Sequence, residues 1–300
     1  MTGAALTARP VVQSISKAPA HLLVAGLAFV VLFWQPAATL VRDWWSDPEA
    51  GHGLLLFPVA AYFAWRRGWV RDARPQPTLG LWMLGGAVAL RYLSGLAAEL
   101  FTMRLSLFGA ILAILVYSRG VRQLVYWWFP LTLLLLAIPL PAVVLSSLAL
   151  PLQLRASRMG AWLLGLRHVP VRLDGNVIRL PGRSLFVTEA CSGLRSLTAL
   201  LSMGVLIGGI WLQSAVSRAL VILAAIPVAM FVNGLRIFLT GFLVYWVDPA
   251  LGDGFMHLSQ GWALFVAALF VLAIITWLIT LADGYWSKWR VARAVRGSVA

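Results

Sequence analysis

The sequence predicts an all-α polytopic membrane protein with about eight transmembrane helices, an interfacial helix and a small extracytoplasmic β meander before the sixth spanning helix. Three observations carry that prediction. The 300 residues are 61% hydrophobic and only 11% charged, and their mean hydropathy is +0.87. Apolar runs close to the ~20 residues needed to cross a bilayer recur along the chain. The formal charge of +14, from 24 Lys and Arg against 10 Asp and Glu, would suit nucleic-acid binding if it lay on one soluble face. Instead these residues punctuate the apolar runs, as the loops of a membrane protein do.

The first run, 21–40, follows Arg9 and Lys17 and superficially resembles a secretory signal. It is long enough to span and no small-residue cleavage pattern follows, so it reads as a retained helix after a cytoplasmic tail, 1–20. Further spanning candidates are 50–65, 79–98, 100–117, 123–140, 192–212, 219–246 and 257–282. The second is short, and the fifth runs into Pro139 and Pro141. Residues 142–166 are apolar but interrupted by Ser146, Ser147, Gln153, Arg155 and Arg158, with Pro151 inside, which predicts a kinked helix lying in the interface.

The period then changes. Val171-Arg172-Leu173, the turn Asp174-Gly175-Asn176, Val177 to Leu180, the turn Pro181-Gly182 and Ser184 to Thr188 read as a β meander. Its open edges require water or headgroups, which puts 141–190 outside the bilayer within a membrane domain of 21–282. A basic cytoplasmic tail, 283–300, completes the chain.

A cytoplasmic N-terminus collects Arg66, Arg67, Arg71, Arg74, Arg119, Arg122 and Arg218 inside, while Asp43, Asp47, Glu49, Asp248 and Asp253 fall outside. Both termini are then cytoplasmic. The arginines of 141–190 run against the rule, which long loops obey less strictly.

Candidate chemistry rests on three costly residues. Cys191 is the only cysteine, so a disulfide scaffold and a zinc–thiolate cluster are excluded. It stands in Glu189-Ala190-Cys191-Ser192-Gly193-Leu194-Arg195, at the start of the sixth spanning segment. A helix N-terminus beside a basic group favours the thiolate; Ser192 can cap that start, and Gly193 permits close approach to backbone N–H groups. Arg236 lies inside the seventh segment, in Asn233-Gly234-Leu235-Arg236, where an arginine is costly. His257 opens the eighth segment.

Topology brings thiol, guanidinium and imidazole to one outer level, where Cys191 attacks a carbonyl, His257 shuttles the proton and Arg236 stabilises the oxyanion. Each residue alone also has a plainer role. A single membrane cysteine is usually a packing residue, an arginine can snorkel to headgroups, and Arg195 can simply pair with Glu189. It is their coincidence at one depth that favours an enzyme. The alternative is a transporter or polysaccharide export component, which uses Arg236 to bind an anion.

The same runs resemble the exosortase and archaeosortase family of membrane cysteine transpeptidases. Glu189 to Ser196 resembles its nucleophile motif, Asn233 to Ile237 its arginine motif, and His257 with Gly261 its histidine motif. Gly51-His52-Gly53 and Ile138-Pro139-Leu140-Pro141 are similar to further family signatures. The resemblance implies Cys191, Arg236 and His257 as catalytic residues, supported by Glu189, Ser192, Gly193, Arg195, Asn233 and His52. It implies cleavage of C-terminal Pro-Glu-Pro-type sorting signals on exported proteins, at the periplasmic face of a bacterial inner membrane. The new carboxyl end then passes to an acceptor from the cell envelope or exopolysaccharide. Neither residues nor resemblance imply a cofactor or a metal.

Overall fold

A computed structural model describes residues 20–47, 50–187, 194–248 and 254–297; at positions 21, 142, 195, 254–260 and 287–297 it describes the backbone alone. The chain runs α1 (Ala20–Ser46), α2 (Gly53–Arg67), α3 (Pro77–Leu96), α4 (Leu100–Arg119), α5 (Val121–Tyr126), α6 (Trp128–Leu136) and α7 (Ala142–Leu166). Strands β1 (Arg172–Asp174), β2 (Val177–Leu180) and β3 (Arg183–Phe186) follow, then α8 (Leu194–Trp211), α9 (Ala215–Trp246) and α10 (Gly254–Gly297). The protein is a multipass, mostly helical membrane protein.

Among the described residues, five helices are long and apolar enough to cross a membrane: α1, α3, α4, α9 and α10. The eight expected from the sequence are therefore not all present at full length. The second candidate, α2, has 15 residues, confined between Gly51-His52-Gly53 and Gly68. The fifth is cut at Trp127 into α5 and α6, of six and nine residues. At this junction buried Gln123 accepts at Oε1 from the Val70 N–H at 2.9 Å, and Trp127 Nε1 donates to the Gly68 carbonyl at 2.9 Å. Both bonds tie the chain after α2 to the α5–α6 junction, satisfying backbone groups of residues 68 and 70.

Helices α3 and α4 form a close antiparallel pair. A Cβ at Gly80 would lie 2.6 Å from the Tyr117 Cα, so only glycine permits this approach. Glu99 caps α4, its carboxylate accepting from the N–H groups of Phe101 and Thr102 at 3.0 and 2.7 Å. Gly120, at φ 79, ends α4 in the left-handed region where a Cβ would strike the Arg74 carbonyl oxygen.

The β meander is present, as β1–β2–β3 in antiparallel order, with Arg172 opposite Arg179 and Val177 opposite Phe186. Its inward residues Ile178 and Leu180 pack with Val187, with Ala161 and Leu164 of α7, and with Ile237 and Val244 of α9. The segment expected to be a kinked interfacial helix is one 25-residue helix with Pro151 inside it, and its second half runs beside α9 in the same direction. Gly234 meets Met159, Gly160 meets Ile237 and Gly241 meets Leu164, so contact advances along both helices together. These small residues let α7 stand against α9, a source of packing that composition alone does not reveal.

A second core joins α8, α9 and α10 through Leu200, Val221, Ala225, Ala268 and Leu272. A third joins α1, α2 and α6 through Trp44, Leu56, Phe129 and Leu133. Trp44 Nε1 donates to the Ala137 carbonyl at 2.7 Å, and His52 Nε2 lies 3.2 Å from the Leu136 carbonyl oxygen. His52, of the Gly51–Gly53 signature, thus meets the end of α6 84 residues later, and it lines one cavity together with the Ile138–Pro141 signature.

Candidate active site

The α8–α9–α10 unit sets the levels of the candidate residues. A Cβ at Gly204 would lie 3.5 Å from the Ile222 Cα, and one at Gly208 would lie 3.6 Å from the Arg218 Cα. The two antiparallel helices are thereby in register, four residues on one for four on the other. Continued to the start of α8, that register sets Leu194 level with Val232, on the turn of α9 that carries Asn233 and Arg236. The Arg236 guanidinium lies across Gly261 of α10, whose Cβ would sit 3.3 Å from Nη2 and 3.4 Å from Cζ. Position 257 is one helical turn before Gly261 and shares its face.

Glu189, Cys191, Ser192 and Gly193 lie outside the described residues, and Arg195 and His257 are described only through the backbones of α8 and α10. Val187 is buried; its N–H donates to the Asn176 carbonyl at 3.0 Å, and Asn176 Nδ2 donates back to the Val187 carbonyl at 3.1 Å. Val187 packs in the same cluster as Ile237, the neighbour of Arg236. On the other side Leu194 is buried at the first turn of α8.

Beside that turn opens a cavity of about 690 Å³, walled by Leu194, Thr198 and Ser202 of α8, by Pro139 and Pro141, and by Asp43, Asp47, His52, Glu99 and Arg104. Its size is that of a ligand site. Thr102 holds the Glu99 carboxyl below its usual range, through its hydroxyl first and then its N–H, so Glu99 remains ionised at this wall. His52 belongs to this wall. Asn233 is buried and faces a smaller cavity of about 280 Å³, shared with Arg155 of α7 and Leu197 of α8. The described geometry thus brings Arg236 to α10 one turn from position 257, and places His52 and Asn233 at two different cavities.

A family model described as transmembrane exosortase matches residues 44–274. The chain belongs to this family. No curated protein and no solved structure matches it. The exosortase match begins near the end of α1 and ends within α10, so it takes in both cavities, the β meander, Arg236 and Gly261.

Within this exosortase region, Arg104 is the residue that sequence reasoning missed. It is 4% exposed, sits in the cavity wall, and its Nη2 makes an ion pair of 2.6 Å with Asp43. The signal was available: Arg104 interrupts the apolar run 100–117 just as Arg236 interrupts 219–246, and an ionisable group within a spanning segment marks function by default.

The contact at Gly261 makes a prediction. Gly261→Leu is expected to displace the Arg236 guanidinium and lower turnover of this exosortase by about 100-fold, the scale of losing one oxyanion donor. Gly261→Ala, whose added carbon is nearly accommodated, should lose far less. Cleavage of a substrate reporter by both variants, reconstituted at equal amounts, checks this; equal activity of the two would count against the contact.

Proposed function

We propose that this protein is a membrane-embedded cysteine protease and transpeptidase that cleaves C-terminal sorting signals of exported proteins. The single observation that carries the reading is the Arg236 guanidinium laid across Gly261, one turn from position 257 and level with the start of α8. Family membership supports the class of reaction.

In this mechanism the Cys191 thiol gives its proton to His257, and the sulfur attacks the scissile carbonyl carbon. Arg236 stabilises the resulting oxyanion. As the tetrahedral intermediate collapses, the C–N bond breaks and the leaving amine takes the proton from His257. The thioester is then attacked by an acceptor nucleophile, which carries off the new carboxyl end and returns the proton to the thiolate. Glu189, Ser192, Gly193 and Arg195 shape the helix start around the nucleophile, and Asn233 and His52 support the two cavity walls.

The large cavity receives the signal next to the nucleophile. The signal is a short Pro-Glu-Pro-type motif followed by a hydrophobic helix and a basic tail. The enzyme acts at the periplasmic face of the bacterial inner membrane with both termini cytoplasmic, α2, α5/α6 and α8 completing the eight crossings together with the five longer helices.

Cys191→Ala, at unchanged membrane level, is expected to leave the uncleaved substrate to accumulate, read by immunoblot of a signal-bearing reporter. Normal processing in that variant would overturn the proposal. Arg104, a second arginine within a spanning segment and in the wall of the large cavity, favours one competing reading, an anion transporter or polysaccharide export component. Full function in Cys191→Ser combined with its loss in Arg236→Ala would select that reading.

A further inference from the structure

The opposite end of the bundle holds a second cluster that the proposed chemistry does not use. Arg67, the last residue of α2, and Arg218, in the first turn of α9, both lean on the indole of Trp128, at 5.8 and 4.9 Å from its ring centroid. Arg67 also stands 5.5 Å from the Phe129 ring. Each guanidinium is oriented by one carbonyl: Arg67 Nη1 donates to Tyr126 at 2.7 Å, and Arg218 Nε donates to Leu212 at 2.9 Å. The Arg218 stem lies on Gly208 of α8.

Among the described residues neither arginine makes an ion pair, and Asp72, the nearest acid in sequence to Arg67, pairs with neither. Two like charges are therefore held around one ring with no carboxylate to offset them. Each fork keeps N–H groups beyond the one its carbonyl uses, which is the donor arrangement that phosphate oxygens match.

We propose that Arg67, Trp128 and Arg218 form a binding site for the phosphodiester of an anionic glycerophospholipid. The apolar surroundings decide for a lipid over a free anion. Trp128 is 39% exposed; Trp211, next in sequence to the Leu212 that holds Arg218, and Leu220, two residues past Arg218, are 62% and 49% exposed, apolar surface for acyl chains with the indole at headgroup level. The site joins α2, α6 and α9, so an occupying lipid would bridge the ends of three helices.

The test uses the full-length protein purified in neutral detergent, with phosphatidylglycerol, phosphatidylcholine or inorganic phosphate added. Native mass spectrometry of the wild type is expected to retain phosphatidylglycerol about tenfold over phosphatidylcholine, and thermal unfolding should shift upward with phosphatidylglycerol alone. Arg67→Gln and Arg218→Gln should each weaken retention about tenfold, the effect of losing a charge-assisted bond. Arg66→Gln is the control, since it removes the same charge from an exposed arginine that only approaches Tyr62, at 5.9 Å; it should retain lipid normally.

Equal loss in Arg66→Gln and Arg67→Gln would reduce the site to a diffuse basic surface and overturn the proposal. Stabilisation by inorganic phosphate as large as by phosphatidylglycerol would overturn the lipid assignment. Where a glutamine variant does not fold, the wild-type comparison of the two lipids decides alone, and equal retention of both overturns the site.

Discussion

Arg236→Lys is expected to lower cleavage about 100- to 1,000-fold while leaving thermal unfolding in detergent nearly unchanged, the magnitude found when one preorganised oxyanion donor is removed. The substitution keeps the charge, so a purely electrostatic role, or snorkelling to headgroups, would survive it. What it removes is the plane. Arg236 lies flat across Gly261, and a planar five-donor fork occupies that space in a way a compact ammonium on a flexible stem does not. The loss should fall on kcat more than on KM, because in the proposed mechanism Arg236 serves charge that develops only in the transition state. Single-turnover cleavage of a signal-bearing reporter in proteoliposomes separates the two constants. A lysine variant with wild-type turnover would remove Arg236 from the catalytic set.

Asp43→Leu is expected to destabilise the protein by about 3–5 kcal/mol, the cost of leaving a buried charge without its partner. Arg104 is 4% exposed, and its Nε is buried without a hydrogen-bond acceptor, so its compensation comes chiefly from the 2.6 Å contact with Asp43. The Thr39 carbonyl, 3.4 Å from the Nη2 that also holds Asp43, offers little more. The informative variant is the double one, Asp43→Leu with Arg104→Leu. It should recover most of the loss, because an apolar pair of similar volume avoids the desolvation that the ions require. Thermal unfolding and membrane level of the single and double variants check this. Equal destabilisation by both would mean that cavity shape, not charge pairing, holds α1 to α4.

How much of this was legible in the sequence depended on whether a segment's fate was local. Helices α3, α4, α9 and α10 follow from apolar length, and the β meander from its turns at Asp174–Asn176 and Pro181-Gly182. The anchoring of the α5–α6 junction was not legible, because Gln123 reaches the backbone of residues 68 and 70, more than 50 positions away. The posture of α7 was hidden for a related reason: Gly160 shows as a weak helix residue, and its use as a seat for Ile237 exists only once α9 is beside it. The site divides in the same way. Arg236 announced itself by its cost in an apolar run, whereas Arg104, subject to the same argument, was masked by the ready pairing of its sequence with a simple spanning helix. His52 was singled out by motif, but its place in the cavity wall depends on the end of α6.

Gly261 has a mechanical meaning as well as a steric one. Helix α10 has 44 residues and is a rod of about 66 Å, roughly twice the ~30 Å hydrocarbon thickness. Only one azimuth of that rod turns its bare position toward Arg236; advancing by a single residue swings the helix by about 100° and brings Gln260 or Trp262 against the guanidinium. A turn of the rod about its own axis would therefore carry the bare position away from the guanidinium and set a side chain in its place, so the steric match depends on the rotational setting of α10.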